Sequence, residues 1–360
     1  MAMPQKTRIE YIDALRGFIM LLVVVGHIEY HGYKLWSDEL LIKLHSPYFI
    51  ISLIQMPLFF FISGYILFKK DFVWNPINTI NFVKKKFRVL IIGTISWLFL
   101  FGTLSHLEIC QWFGSMKLGY WFTITLFVYF LVYAVIKLAC HIFSFCNEIE
   151  NTLLIFAGLI GLAISPLAFF YKLGFNIKIW EYLDIKQLQY LQFFIFGTFC
   201  KKYNTQFFNI IRNNGWGAAI ILTFIATTIF LYQFSLHKNQ ICYYMMQYMY
   251  GYISILLLFA LFYKYQDIFT TQSKIGKTLQ FIGRRTLDIY LIHAFIYPRN
   301  LDFVGNFFIS YPNPILEFSF TLCLAFVVVG GCLTISQIIR LSPFLTYWLL
   351  GGKQMFTKDK

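Results

Sequence analysis

Repeated apolar runs of about twenty residues constrain this chain more than any motif, because a bilayer core about 30 Å thick takes roughly 20 helical residues to cross. Such runs recur from Ile12 to Arg340. Composition points the same way: 59% of the 360 residues are hydrophobic, 21% aromatic and only 13% charged, far from the soluble average. No hydrophilic stretch is long enough for a soluble domain, and the alternating pattern of a membrane barrel is absent. The expected fold is therefore all-α, a polytopic membrane helical bundle.

Hydropathy places about ten transmembrane helices, at residues 12 to 32, 47 to 69, 87 to 107, 119 to 143, 151 to 171, 188 to 203, 215 to 235, 245 to 265, 284 to 301 and 314 to 340, with the sixth and ninth weakest. With both termini cytoplasmic, 22 of the 30 Lys and Arg fall on the inner side, Lys6, Arg8 and the Lys84–Lys86 run among them, and 8 on the outer, including Lys43, Lys178 and Lys238. That asymmetry follows the positive-inside rule and accounts for the net charge of +14 without nucleic acid. The first helix is too long for a cleaved signal peptide and no small-residue cleavage pattern follows it. Cysteines at 110, 140, 146, 200, 242, 323 and 332 form no CxxC pair, so neither a metal site nor a disulfide framework is expected. Residues 1–360 read as a single membrane domain with no appended soluble domain.

Within the first span, DALRGFIMLLVVVGHIEYH carries Arg16 and His27. Eleven steps of about 100° bring the two to within about 20° of one line, separated by roughly 16 Å along the axis. Arg16 then lies near the cytoplasmic boundary and His27 past mid-membrane, on what reads as a cavity wall. Two plainer readings stay open: Arg16 snorkelling to head groups, and His27 as a hydrogen-bonded packing residue. HIEYH sets His27 and His31 at i and i+4, but Glu29 between them does not make HExxH and no third ligand is evident, so no metal is expected and His31 reads as an outer-loop residue. Arg284 and Asp288 read as an i,i+4 ion pair at the start of the ninth helix.

These residues resemble the acyltransferase 3 family of membrane acyltransferases that modify cell-surface glycans, and the resemblance covers nearly the whole chain. Arg16 and His27 match the family's Arg-x10-His pattern within YIDALRG. MPLFFFISGYIL, from Met56 to Leu67, resembles its FF-x-x-SG-aromatic segment, and LGYWFTITLF its tryptophan-phenylalanine segment at Trp121 and Phe122. FFIFGTFCKKY, from Phe193 to Tyr203, is similar to its Phe-rich helix. IGRRTLDIYLIH, from Ile282 to His293, is similar to its G-x-x-S/T-L-x-I-Y-L-x-H segment. The family's RxxR pair before the third helix is met by Lys85 and Arg88, with lysine in the first position, which can meet a phosphate only as a point charge.

The resemblance implies transfer of an acyl group, acetyl first among them, from acyl-coenzyme A to a hydroxyl of a cell-surface polysaccharide or lipid-linked glycan precursor. His27 would be the general base and Arg16, Lys85 and Arg88 would hold the donor, with Lys84 and Lys86 adding to a cationic funnel. Whether His27 acts in direct transfer or is itself acylated stays open. Tyr65, Trp121, Tyr290 and His293 are expected near the substrates. Acyl-coenzyme A is a donor substrate and no permanently bound cofactor is expected; the partners are donor, glycan acceptor and the lipids of a plasma or inner membrane. A transporter or flippase of a glycan intermediate is the competing class, and an idle scaffold a third.

Overall fold

The computed structural model describes residues 9–34, 47–106, 108, 112, 114–172, 185–236 and 240–352. Lys6, Arg8, Lys43, Lys178, Lys238, Lys353, Lys358, Lys360 and Cys110, used above for charge or cysteine placement, lie outside the described residues. In chain order the helices are α1 (Glu10–His27), α2 (Tyr48–Leu67), α3 (Pro76–Phe87), α4 (Gly93–Leu104), α5 (Trp121–Ile142), α6 (Asn147–Lys172), α7 (Leu191–Lys202), α8 (Asn204–Arg212), α9 (Asn214–Leu236), α10 (Gln240–Lys264), α11 (Lys274–Gly283), α12 (Thr286–Ile296), α13 (Asp302–Ser310), α14 (Pro314–Arg340) and α15 (Pro343–Leu350). π-helical turns extend α1 through Ile28–Gly32 and join α3 to α4 through Arg88–Ile92. No strand occurs among the described residues, and the chain is a polytopic helical membrane protein.

Eight helices among the described residues are long and apolar enough to cross a membrane, and they coincide with eight of the ten expected spans. The other two are shorter. The sixth span becomes a 3-10 turn, Ile185–Tyr190, followed by the 12 residues of α7. The ninth becomes α12, whose 11 residues rise only about 16 Å, half of a hydrocarbon core. α12 stops because Tyr297 precedes Pro298 and takes the extended backbone (ψ 138°) that a following proline favours. The third span begins earlier than hydropathy placed it. Asn75 caps α3 by accepting the Asn78 N–H at 2.8 Å, Pro76 starts the helix, and the polar turns before residue 87 are helical as well.

The described chain divides into two compact units, the division falling inside α2 after Ile62 and inside α14 after Gly331. In the first unit, α1 is deeply enclosed: 78% of its apolar stretch is buried, as is 78% of α2, against 17% for α9. An aromatic cluster about the fully buried Phe259 joins α1, α2, α8 and α10 through Tyr11 (5.8 Å), Phe61 (5.7 Å) and Phe207 (5.2 Å between centroids). α1 crosses α11 with backbone against backbone. A Cβ on Gly17 would lie 1.9 Å from the Leu279 carbonyl oxygen, and one on Gly283 would lie 1.8 Å from the Asp13 carbonyl oxygen. Small residues permit this approach, which in a membrane is the main source of helix association.

In the second unit, Phe194 of α7 packs against Tyr129, Phe130 and Tyr133 of α5 (5.6–6.4 Å between centroids). Gly64, near the end of α2, lies against the Phe194 carbonyl, where a Cβ would come within 1.9 Å. The small residue Gly64 thus lets α2 approach α7 closely. Glu150 of α6 takes two ammonium groups, Lys137 at 2.6 Å and Lys202 at 3.0 Å. Trp97 of α4 donates its indole N–H to the Leu349 carbonyl of α15 at 2.9 Å.

Gly17→Ala should wedge α1 from α11 and destabilise the protein by about 1–3 kcal/mol, read as a lower thermal unfolding midpoint in detergent. Gly217→Ala in α9, where an added Cβ meets nothing within 4 Å, is the control and should leave the midpoint unchanged or raise it.

Candidate active site

The first unit holds Arg16, His27, Tyr290 and His293; the second holds Tyr65, Lys85, Arg88 and Trp121. In the first unit the two ends of the Arg-x10-His pattern each meet α12. The Arg16 guanidinium donates to the Thr286 hydroxyl at 2.9 Å and lies 3.7 Å from the Asp13 carboxylate on its own helix. The His27 ring lies 4.8 Å from that of His293, edge to face at 76°. Residue 16 faces 286 and residue 27 faces 293, so α1 and α12 run side by side in the same direction.

The hydrogen bonds fix the histidine tautomers. His27 Nδ1 lies 2.7 Å from the Val23 carbonyl oxygen, and His293 Nδ1 lies 2.7 Å from that of Tyr290 and 3.2 Å from that of Ile289. A carbonyl only accepts, so Nδ1 carries the hydrogen in both rings and each neutral imidazole has its lone pair on Nε2. His27 is half-buried and His293 buried. Tyr290 is also buried, with its ring 5.9 Å from that of His293.

His31 is not a loop residue. The π turn keeps it on α1, with its ring 5.9 Å from His27 and 5.4 Å from Tyr297, both nearly parallel. Its side chain is exposed, so the rings lead from an exposed His31, past the half-buried Tyr297 and His27, to the buried His293. Among the described residues, no group of three or more His, Cys, Asp or Glu is placed to hold a metal ion. Two of the three imidazoles here commit Nδ1 to carbonyl oxygens.

Three further residues at this end of α1 escaped sequence reasoning. Glu29 is fully buried with neither carboxyl oxygen bonded among the described residues, close enough to the buried Glu317 for their charges to interact. Gln55 of α2 has its side-chain oxygen buried and unbonded among the described residues, 3.4 Å from where a Cβ on Gly26 would be. Tyr297 lies among the histidines. A polar residue inside an apolar run was the available signal for Glu29 and Gln55.

Arg284 and Asp288 do not form the expected pair. α11 ends at Gly283 and α12 begins at Thr286, so the two are not on one continuous helix and i,i+4 spacing does not make them neighbours; Arg284 is exposed and Asp288 buried.

In the second unit, Lys84 and Lys85 are exposed at the end of α3, and Lys86 instead places its ammonium 3.6 Å from the Phe130 ring centroid. Arg88 opens the π turn, half-buried, with Nε buried and unbonded among the described residues. Tyr65 is buried with the Lys201 ammonium 5.0 Å from its ring centroid, and Trp121 stacks on Tyr190 at 5.8 Å.

A family model described as an acyltransferase domain matches residues 9–337, a range that takes in Arg16, His27, Lys85, Arg88 and His293. No curated protein and no solved structure matches the chain. With nearly its whole length matched and its helices in place, the chain belongs to the acyltransferase 3 family and is a multi-pass membrane acyltransferase.

Proposed function

We propose that this protein transfers an acyl group, acetyl first among the candidates, from acyl-coenzyme A to a hydroxyl of a cell-surface polysaccharide or lipid-linked glycan precursor, in the plasma or inner membrane. The observation that carries the reading is the tautomer of His27: with Nδ1–H bound to Val23, Nε2 is left as a lone pair on a half-buried ring, the form a general base requires. Nε2 takes the acceptor's hydroxyl proton as the oxygen attacks the thioester carbonyl. The C–S bond breaks, and the proton passes on to the departing thiolate.

Arg16, held by Thr286 on the same helix line as His27, supports a donor-binding role, because an arginine fork matches phosphate or carbonyl oxygens. Lys85 and Arg88 are assigned to the coenzyme A phosphates. Tyr65, Trp121 and Tyr290 are assigned to substrate contacts. No permanently bound cofactor has a role in this scheme.

Membrane vesicles given labelled acetyl-coenzyme A and a candidate glycan should place label in an alkali-labile ester, and His27→Ala should lower that rate by about 10²- to 10⁴-fold. Glycan movement that needs no acyl donor and survives loss of His27 would instead establish a transporter. Thr286→Val removes one hydrogen bond from the Arg16 guanidinium and should raise the KM for acyl-coenzyme A by about fivefold, the worth of that bond, with kcat little changed. Thr286→Ser should behave as wild type; a Val variant indistinguishable from the Ser variant would remove Thr286 from donor binding.

A further inference from the structure

We infer that His31 is an acceptor-orienting residue: it hydrogen-bonds a second hydroxyl of the sugar whose first hydroxyl His27 deprotonates, and so fixes which hydroxyl of that sugar receives the acyl group. This rests on the acyl-transfer reading above. The acceptor it implies is a sugar with two neighbouring hydroxyls, a vicinal diol.

His31 is exposed, yet its ring meets three others. Tyr297 lies nearly parallel to it at 5.4 Å and 19°, His27 nearly parallel at 5.9 Å and 20°, and Tyr30 edge to face at 4.8 Å and 88°. The Tyr30 ring is itself backed by Tyr48 at 5.6 Å. Neither ring nitrogen of His31 has a hydrogen bond among the described residues. An exposed side chain ordinarily changes rotamer within nanoseconds. This one is oriented by ring contacts while its polar atoms stay uncommitted, and a polar group ordered before its ligand arrives binds at a smaller entropic cost.

The neighbouring polar groups are placed differently. His293 and Tyr290 are buried, and the Arg299 guanidinium donates to the Ala294 carbonyl at 3.0 Å. Among the described residues no group of three or more His, Cys, Asp or Glu is placed to hold a metal ion, and an uncharged hydroxylic ligand suits two neutral imidazoles. Each imidazole offers one donor and one acceptor and a hydroxyl is both, so either tautomer of His31 makes the bond. Imidazole nitrogens lie about 1.1 Å from their ring centroid, so rings 5.9 Å apart keep the nitrogens to be bridged within about 8 Å, and two hydrogen bonds of about 2.8 Å with neighbouring hydroxyl oxygens about 3 Å apart cover that span. A sugar held by His27 alone turns about that one contact. The bond to His31 stops the rotation and leaves a single hydroxyl in position to attack.

The test uses full-length protein in membrane vesicles from cells that make it, with their own glycan as acceptor and labelled acetyl-coenzyme A as donor. The ester position is read by proton NMR of the isolated glycan, and wild type should give one position. His31→Phe keeps a flat ring beside Tyr297 and His27 and removes both nitrogens. It should lower the rate of labelling about fivefold, the worth of one hydrogen bond, leave the KM for acetyl-coenzyme A unchanged, and spread the ester to the neighbouring hydroxyl. Should the Phe variant unfold, His31→Met is read in the same way. His31→Gln, whose amide still donates and accepts, should hold the product close to the single position. A residue that only supports the helix would slow labelling and leave the position alone. Several positions from wild type, a single position from the folded Phe variant at any rate, a Gln product as mixed as the Phe product, or no label from either folded variant overturns the assignment. Wild type that incorporates no label, or labelling indifferent to His27→Ala, overturns the underlying reading whatever His31 does.

Discussion

The candidate site depends on how closely α1 can approach the corner between α11 and α12, and two glycines set that distance. Gly17 and Gly283 lie so close that any side chain at either would enter the other strand of backbone. With α1 pinned there, Arg16 is one residue from the contact on its own helix and Thr286 three residues beyond it on the other side. The pairing then propagates. From Arg16 to His27 the rise is about 16 Å and from Thr286 to His293 about 10 Å, and the long arginine side chain takes up the difference. A short, branched or rigid cation at position 16 could not do so.

The far end of α1 is held by a different device. The π turn at Ile28–Gly32 ends with the Gly32 carbonyl accepting the Leu301 N–H at 3.0 Å, and a Cβ on Gly32 would come within 2.8 Å of the Pro298 carbonyl. Gly305 of α13 is as tight, 2.4 Å from the Tyr33 carbonyl on the same criterion. A π turn widens the helix and changes the angle between successive side chains, and such turns are frequent at functional sites. Here it brings His31 alongside Tyr297 and turns Glu29 into full burial.

That turn separates what could be read in advance from what could not. α1 is a regular α-helix up to His27, so an arithmetic of 100° steps placed Arg16 and His27 on one line correctly. Beyond His27 the arithmetic no longer applies, and His31 was misjudged as a loop residue. Hydropathy found the long apolar helices because lipid demands length, but α12 answers to Pro298 and to its neighbours rather than to bilayer thickness. It likewise missed the start of α3, where capping by Asn75 and Pro76 governs and apolarity does not. His293 was visible as a motif residue. Its meeting with His27 was not, because nothing in a single sequence pairs residues 266 positions apart.

Buried polar groups about Glu150 and about His27 differ in how fully their partners are supplied. Glu150 binds Lys137 and Lys202, and Lys202 also bonds the Asn151 side chain at 2.8 Å, so each charge is met by an opposite one. Such a closed network fastens α5, α6 and α7 together and leaves little for a ligand to bind. Around His27 the balance is reversed. The Nδ1 atoms of His27 and His293 are satisfied while both Nε2 atoms remain as acceptors, and Glu29 and Gln55 carry oxygens unbonded among the described residues. Open acceptors at this depth cost free energy that packing alone would remove by substitution with apolar residues. On the acyl-transfer reading proposed above, a hydroxylic acceptor would supply the O–H donors that such a set of acceptors lacks, and its arrival would satisfy the nitrogen proposed to take its proton.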